Sequence, residues 1–348
     1  MLTKKQIEEI RVHLERAQNP IFFYDNDADG LCSFIILRRL LGRGYGVAVR
    51  SYPELNESYA RKAEQLGADY VFVLDKPVME KGFVEEINKM GLPLVWIDHH
   101  DEADEFSGNY DNFFAYNPTK NKGKNKSNEP VSYLAYKIAD KKEDIWISVM
   151  GCIADCYLPD FVDEFSERYP DYWGKDITHP FGALYGTEIG NIAFALGFGL
   201  KDSTTHIVQL QKFLCGVNGP EDVFSETPKN KIFRNRYLNV KKKFDEILKK
   251  SEEIDNVIWL EYAGEISMSS DISNKLSYNY PDKYICVAFK KGGVVNCSLR
   301  GENVKDVLLD ILKDFENSSG GGHPNAVGCQ IQYDDLDRFK QYLIEKTK

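Results

Sequence analysis

Three apolar runs in this chain each end in an aspartate: Phe22-Phe23-Tyr24-Asp25, Val71-Phe72-Val73-Leu74-Asp75 and Val95-Trp96-Ile97-Asp98. The first continues Asn26-Asp27-Ala28-Asp29-Gly30, and the third continues His99-His100. Short apolar runs bounded in this way read as buried strands. Paired side by side and parallel, they would gather Asp25, Asp27, Asp29, Asp75 and Asp98 at one rim, with both imidazoles. Carboxylates packed that closely repel one another unless a strong cation lies among them. The rim therefore reads as a metal site. Taken singly, a strand-end aspartate is as readily a helix N-cap. Five at these spacings beside a His-His pair cannot all be caps.

The same segment alternates strand and helix signals. Strands are expected over 21–25, 47–52, 71–75 and 94–98, and helices over 31–42, 55–66 and 80–90. That rhythm predicts an α/β fold: a parallel sheet with helices on both faces. Open sheets of this kind bind ligands outside the carboxyl ends of their strands, where the aspartates stand. No GxGxxG follows the first strand and no GxxxxGK[ST] loop occurs, which excludes the Rossmann dehydrogenases and P-loop ATPases. An acidic first turn would in any case repel a pyrophosphate.

At 348 residues the chain is long enough for two domains. Residues 117–130 have the composition of a mobile loop. Helices are expected near 131–140 and 145–153, the latter meeting Asp155, and through most of 181–223. Residues 229–253 read as one long charged helix joining the domains. Strands at 256–262, 284–290, 294–300 and 327–333, a helix at 303–315 and a terminal helix make up a smaller α/β domain. The division expected is 1–225, a linker helix over 226–254, and 255–348.

Composition narrows the class. With 43% hydrophobic and 28% charged residues the chain is globular rather than disordered. No apolar stretch reaches the ~18 residues of a membrane span. Seven cysteines, an odd number without CxxC pairs, predict buried thiols in a reducing cytoplasm rather than a disulfide framework. A net charge of −10 does not suit a protein that coats long nucleic acid. Charge is uneven, however: nine Lys or Arg lie between Lys229 and Lys250, and four lysines alternate from Lys120 to Lys126. Basic local surfaces on an acidic whole are compatible with short anionic substrates.

Asp25-Asn-Asp27-Ala-Asp29-Gly30, Asp75, Asp98-His99-His100, Asp155 in Gly151-Cys-Ile-Ala-Asp155, and Gly320-Gly321-Gly322-His323 occur in that order. As an ordered set they resemble the DHH phosphoesterase superfamily with a DHHA1 C-terminal domain, over roughly residues 20 to 335. The resemblance implies that Asp25, Asp27, Asp75, His99 and Asp155 hold one or two divalent ions, Mn²⁺ or else Mg²⁺, with Asp75 bridging. It implies catalytic roles for His99, His100 and Asp98, and an orienting role for Asp29 as for Asp98. Gly30 is expected to supply backbone freedom at the strand-to-helix turn. Substrate would be bound by Arg300, Gly320, Gly321, Gly322, His323 and Asn325, with phosphates held across the cleft between the domains. Oxygen-rich donors with one imidazole agree with Mn²⁺ or Mg²⁺ rather than zinc. Where the pyrophosphatase and oligoribonuclease branches carry a histidine four residues before the first motif aspartate, this chain has Ile21. That form is closer to the RecJ-like branch.

The activity implied is phosphodiester hydrolysis by a metal-activated water. The expected substrate is single-stranded or short DNA or RNA, cut exonucleolytically to mononucleotides. Small nucleotides, such as 3′-phosphoadenosine 5′-phosphate or cyclic dinucleotides, are the alternative. A Cdc45-like replication scaffold without catalysis is a third. No membrane partner is expected, and a homodimer is left open.

Overall fold

The computed structural model describes residues 1–50, 55–101, 106–174 and 176–348. The chain divides into two compact units, Met1–Tyr237 and Leu238–Lys348. In the first unit α1 (Lys4–Arg16) precedes β1 (Pro20–Asp25), α2 (Ala28–Leu41), β2 (Tyr45–Val49), α3 (Glu57–Gln65) and β3 (Tyr70–Leu74). Then come α4 (Lys81–Lys89), β4 (Leu94–Ile97) and β5 (Phe113–Tyr116). The five strands form one sheet in the order β2-β1-β3-β4-β5, every pairing parallel. Strand order reverses between β1 and β3, and a crevice opens at such a point beyond the strand ends. The second expected strand is two residues earlier than read from sequence, and positions 51 and 52 lie outside the described residues.

Burial on both faces explains why β1 and β3 are apolar throughout rather than alternating. Ile21, Phe23, Val71 and Val73 join Ala60, Ala63, Phe83, Val84 and Ile87 of α3 and α4 in one core. On the opposite face Phe22 and Tyr24 meet Phe34 of α2, the Tyr24 and Phe34 rings stacking at 5.2 Å. Each such side chain contributes roughly 1.5–3 kcal/mol by leaving water.

A helical layer follows: α5 (Val131–Ala139), α6 (Ile145–Ala154), α7 (Val162–Arg168), α8 (Pro180–Gly186), α9 (Glu188–Gly199) and α10 (Thr204–Cys215). Helices α2, α5 and α6 pack on one another. Gly151 permits this, because a Cβ there would stand 2.6 Å from Ser132 Cβ and 3.1 Å from Cys32 Cβ. The stretch expected to be mobile instead forms short 3₁₀ turns at Pro118–Lys120 and Gly123–Asn125, with Gln6 Nε2 donating to Asn121 Oδ1 at 3.0 Å. The long charged helix read over 229–253 is α11 (Lys231–Leu248), which ends earlier than expected because Glu252–Ile254 pairs as a strand with Val257–Trp259.

The second unit continues with β6 (Glu252–Ile254), β7 (Val257–Ala263), α12 (Ser269–Asn279), β8 (Tyr284–Lys291) and β9 (Val294–Arg300). After α13 (Val304–Leu312) come β10 (Ser319–His323), β11 (Ala326–Gln332) and α14 (Leu336–Lys346). The sheet order is β10-β11-β9-β8-β7-β6, with β7 and β8 parallel and the other pairs antiparallel. One face carries the core, where Trp259, Cys286, Cys297 and Leu299 meet Leu308, Ile311, Phe339 and Leu343. Gly320–His323, which could equally read as a flexible turn, is the edge strand β10. All seven cysteines are free thiols; five are buried, Cys215 is partly covered, and Cys156, contrary to expectation, is exposed.

Candidate metal centre

Asp25 closes β1, and Asp27 begins the turn into α2. The Asp27 carboxylate caps that helix, accepting from Gly30 N at 2.9 Å. Gly30 lies inside α2 without a positive φ, so its role is space rather than backbone freedom. A Cβ there would stand 2.9 Å from Asp25 N. Asp29, only 1% exposed, turns inward and accepts from Val131 N at 2.7 Å, Ser132 N at 2.9 Å, and Ser132 Oγ. It thereby caps α5, whose own N-cap, Pro130, offers no side-chain acceptor. The cap reading of these aspartates is thus partly correct: Asp27 caps α2 through one oxygen, and Asp29 commits both of its oxygens to the start of α5.

Asp75 directly follows β3 and adopts φ 57°, a left-handed conformation that aspartate tolerates better than most residues. Its N–H donates to Ile97 O at 3.0 Å. Asp98 follows β4 and is buried; it accepts from His100 N at 3.0 Å and lies 2.9 Å from His100 Nδ1. Asp155 is the C-cap of α6, so the helical layer brings it to the sheet.

His99 is the centre of the arrangement. Its Nδ1 lies 3.1 Å from Asn128 O, an acceptor only, so Nδ1 carries the proton and Nε2 the lone pair in the neutral ring. Nε2 is buried without a hydrogen-bond partner, 3.4 Å from Asp75 Oδ1 and 3.6 Å from Asp155 Oδ2. Donor atoms of Asp75, His99 and His100 lie within 4.8 Å of one another, as do those of Asp29, His99 and Asp155. An orphaned imidazole lone pair among carboxylate oxygens fits a divalent ion, and this donor set favours Mn²⁺ or Mg²⁺.

The carboxylates behave as a cluster short of positive charge. Poor hydration, then the charges of Asp25 and Asp29, push Asp27 up to about 7. Burial and the charges of Asp29 and Asp27 push Asp155 up to about 8, with His100 opposing. Burial and the same neighbours hold Asp75 well above the carboxylate range. Asp25 differs: Lys76 Nζ is 3.0 Å from its Oδ1. The sequence reading passed over Lys76, although a lysine placed directly after a strand-end aspartate was the available signal. It also passed over Asn128, which acts through its backbone.

His99, His100, Asp101, Thr119, Lys126, Ser127 and Asn128 line a pocket of about 480 Å³ beside this cluster. Lys126 belongs to the run of alternating lysines. In the second unit Arg300 ends β9, in register with Ala326, which pairs with His323, so Arg300 and His323 share one end of the sheet. The Arg300 guanidinium donates to Asn274 Oδ1 at 2.7 Å, Leu299 O at 2.7 Å, Ser298 Oγ at 3.1 Å and Ser270 Oγ at 3.2 Å. Asn325 holds a turn, its Oδ1 accepting from Asn303 N at 2.9 Å. Gly320, Gly321 and Gly322 lie on β10, with Gly322 at φ 138°.

Comparison with known proteins adds to this geometry. The model of the DHH family, N-terminal domain, matches residues 21–158, and that of the DHHA1 domain matches residues 260–348. None of the curated proteins matches. Among solved structures the chain is similar to exonuclease RecJ bound to manganese, at 14% identity and TM-score 0.63, covering 100% of this chain and 95% of that one. It is similar to the pGpG-specific phosphodiesterase PggH from Vibrio cholerae, at 14% identity and TM-score 0.55, covering 95% and 99%. It is also similar to CDC45 from Entamoeba histolytica, at 9% identity and TM-score 0.53, covering 99% of each. At these identities the likeness shows the fold alone.

Proposed function

Since the chain belongs to the DHH family and also carries a DHHA1 domain, we propose that it is a metal-dependent phosphodiesterase acting on single-stranded or short DNA or RNA as an exonuclease. The observation that carries this reading is His99: its Nδ1 is committed to Asn128 O, while its buried Nε2 faces Asp75 and Asp155 unpartnered. Asp27, Asp75, His99 and Asp155 would hold a divalent ion, with Asp25 on the same rim. Bound there, Mn²⁺ or Mg²⁺ would acidify a water toward neutrality and offset phosphate charge.

The chain's own groups do the rest. Asp98 fixes the His100 ring through Nδ1, so that the imidazole can donate to a phosphate oxygen and carry charge there. Asp29 and Asn128 keep the rim in place through backbone contacts. Lys126 in the pocket beside His100 adds positive charge for a second phosphate. Arg300, His323 and the glycines of β10 are proposed as further phosphate contacts, with Ser270 and Asn274 of α12 presenting the Arg300 guanidinium. Seven free thiols and no disulfide support a cytoplasmic enzyme. Among the described residues no helix is long and apolar enough to cross a membrane.

A net charge of −10 supports the second reading, hydrolysis of small nucleotides, because little long-range attraction would draw in a polynucleotide. One assay separates the readings: Mn²⁺-dependent release of mononucleotides from an end-labelled 5-mer and 30-mer, in DNA and RNA, beside a cyclic dinucleotide. Cleavage of the strands supports the exonuclease. Cleavage of the cyclic dinucleotide alone supports the second reading, and no hydrolysis of any would leave the scaffold.

A further inference from the structure

Among the described residues Lys76 is the one buried lysine, at 2% exposure. Its ammonium lies 3.0 Å from Asp25 Oδ1, and its carbonyl accepts from the Trp96 indole at 2.9 Å. Backbone and head group are therefore both anchored. An ammonium taken out of water persists only where an anion and good geometry compensate the lost hydration. Here a carboxylate of the metal rim itself contributes to that compensation.

The rim thus separates into two parts. Asp25 already has a cation supplied by the chain. Among the described residues no lysine or arginine pairs with Asp27, Asp75 or Asp155, and the His99 lone pair points toward the last two. Resting on the metal-centre reading above, we propose that the Lys76 ammonium takes the place of a second divalent ion at Asp25, so that the rim keeps one resident ion, at Asp27, Asp75, His99 and Asp155. A fixed side-chain charge cannot dissociate, so the Lys76 part of the charge compensation survives chelation.

Counting Mn²⁺ on the full chain by calorimetry, with free ion followed by electron paramagnetic resonance, tests this. Wild type is expected to bind one ion per chain, and Lys76→Met two, the added one weaker. The double variant Lys76→Met/Asp25→Asn, which removes both partners, is expected to return to one. Heat unfolding in chelator should show Lys76→Met less stable than wild type, with recovery on adding Mn²⁺ or on introducing Asp25→Asn. Two ions on the wild type would overturn the proposal without needing any variant, as would a folded Lys76→Met that still binds one. Absence of any ion from the wild type would instead remove the metal-centre reading beneath it.

Discussion

His99 Nδ1 lies 3.1 Å from the carbonyl oxygen of Asn128, and this single contact decides which ring nitrogen faces the carboxylates. Because the acceptor is backbone, it does not depend on the residue 128 side chain. Replacing His99 by Ala removes the imidazole nitrogen that faces both Asp75 and Asp155. Loss of an outer partner alone costs about 10–100-fold in metal affinity, so His99→Ala should weaken Mn²⁺ by at least about 100-fold. Unchanged affinity by calorimetry would discard His99 as a ligand.

Asp75→Asn separates charge from backbone, since asparagine also tolerates φ 57°. Metal occupancy and phosphodiester turnover should both vanish, while the metal-free protein melts higher because asparagine needs neither a buried charge nor a proton taken up on folding. Wild-type turnover in this variant would rule out a ligand role for Asp75.

Acidity gives a third expectation. Asp27 and Asp155 keep their protons up to about 7 and about 8 when folded, against an ordinary 3.8. Between those values the folded chain binds more protons than the unfolded one, so this contribution to stability falls as pH rises. It is complete below about pH 4, and it is gone above about pH 8. A divalent ion replaces the protons and cancels the loss. The gap in melting temperature between Mn²⁺-loaded and chelated protein should therefore widen from about pH 5 to about pH 8. A constant gap would contradict the crowding of carboxylates at the rim.

Gly30→Ala tests the turn. The added Cβ would stand 2.9 Å from Asp25 N, and a backbone atom has no rotamer with which to yield. Overpacking of this kind costs about 1–3 kcal/mol, and urea unfolding should register it. Weakened Mn²⁺ binding should accompany the loss, because the β1 terminus moves. Full stability would mean that α2 slides without cost.

What the sequence disclosed was the part of the molecule written as local pattern. Apolar runs with terminal aspartates named the ends of β1, β3 and β4, because a strand buried on both faces has few other residues to use. β5 went unseen, being only Phe113–Tyr116 beside a polar loop. A run of three glycines also gave no strand signal; β10 exists because its neighbour β11 supplies the ladder. Lys76 itself was visible beside Asp75, but its pairing with Asp25, like the Asn128 contact, was not, for a different reason. Both join positions far apart in sequence, and one of them uses no side chain at the acceptor.

Asp155 caps a helix, whereas Asp75 terminates a strand, and the two meet only at the face of His99. An ion shared by them would work as a rivet between two layers otherwise held by apolar contact and a few hydrogen bonds, such as Gln211 Nε2 to Gly46 O at 3.3 Å. Withdrawing it would loosen the helical layer from the sheet before any strand parted. Starvation for manganese would then register as a mechanical weakness of the first unit as well as lost turnover.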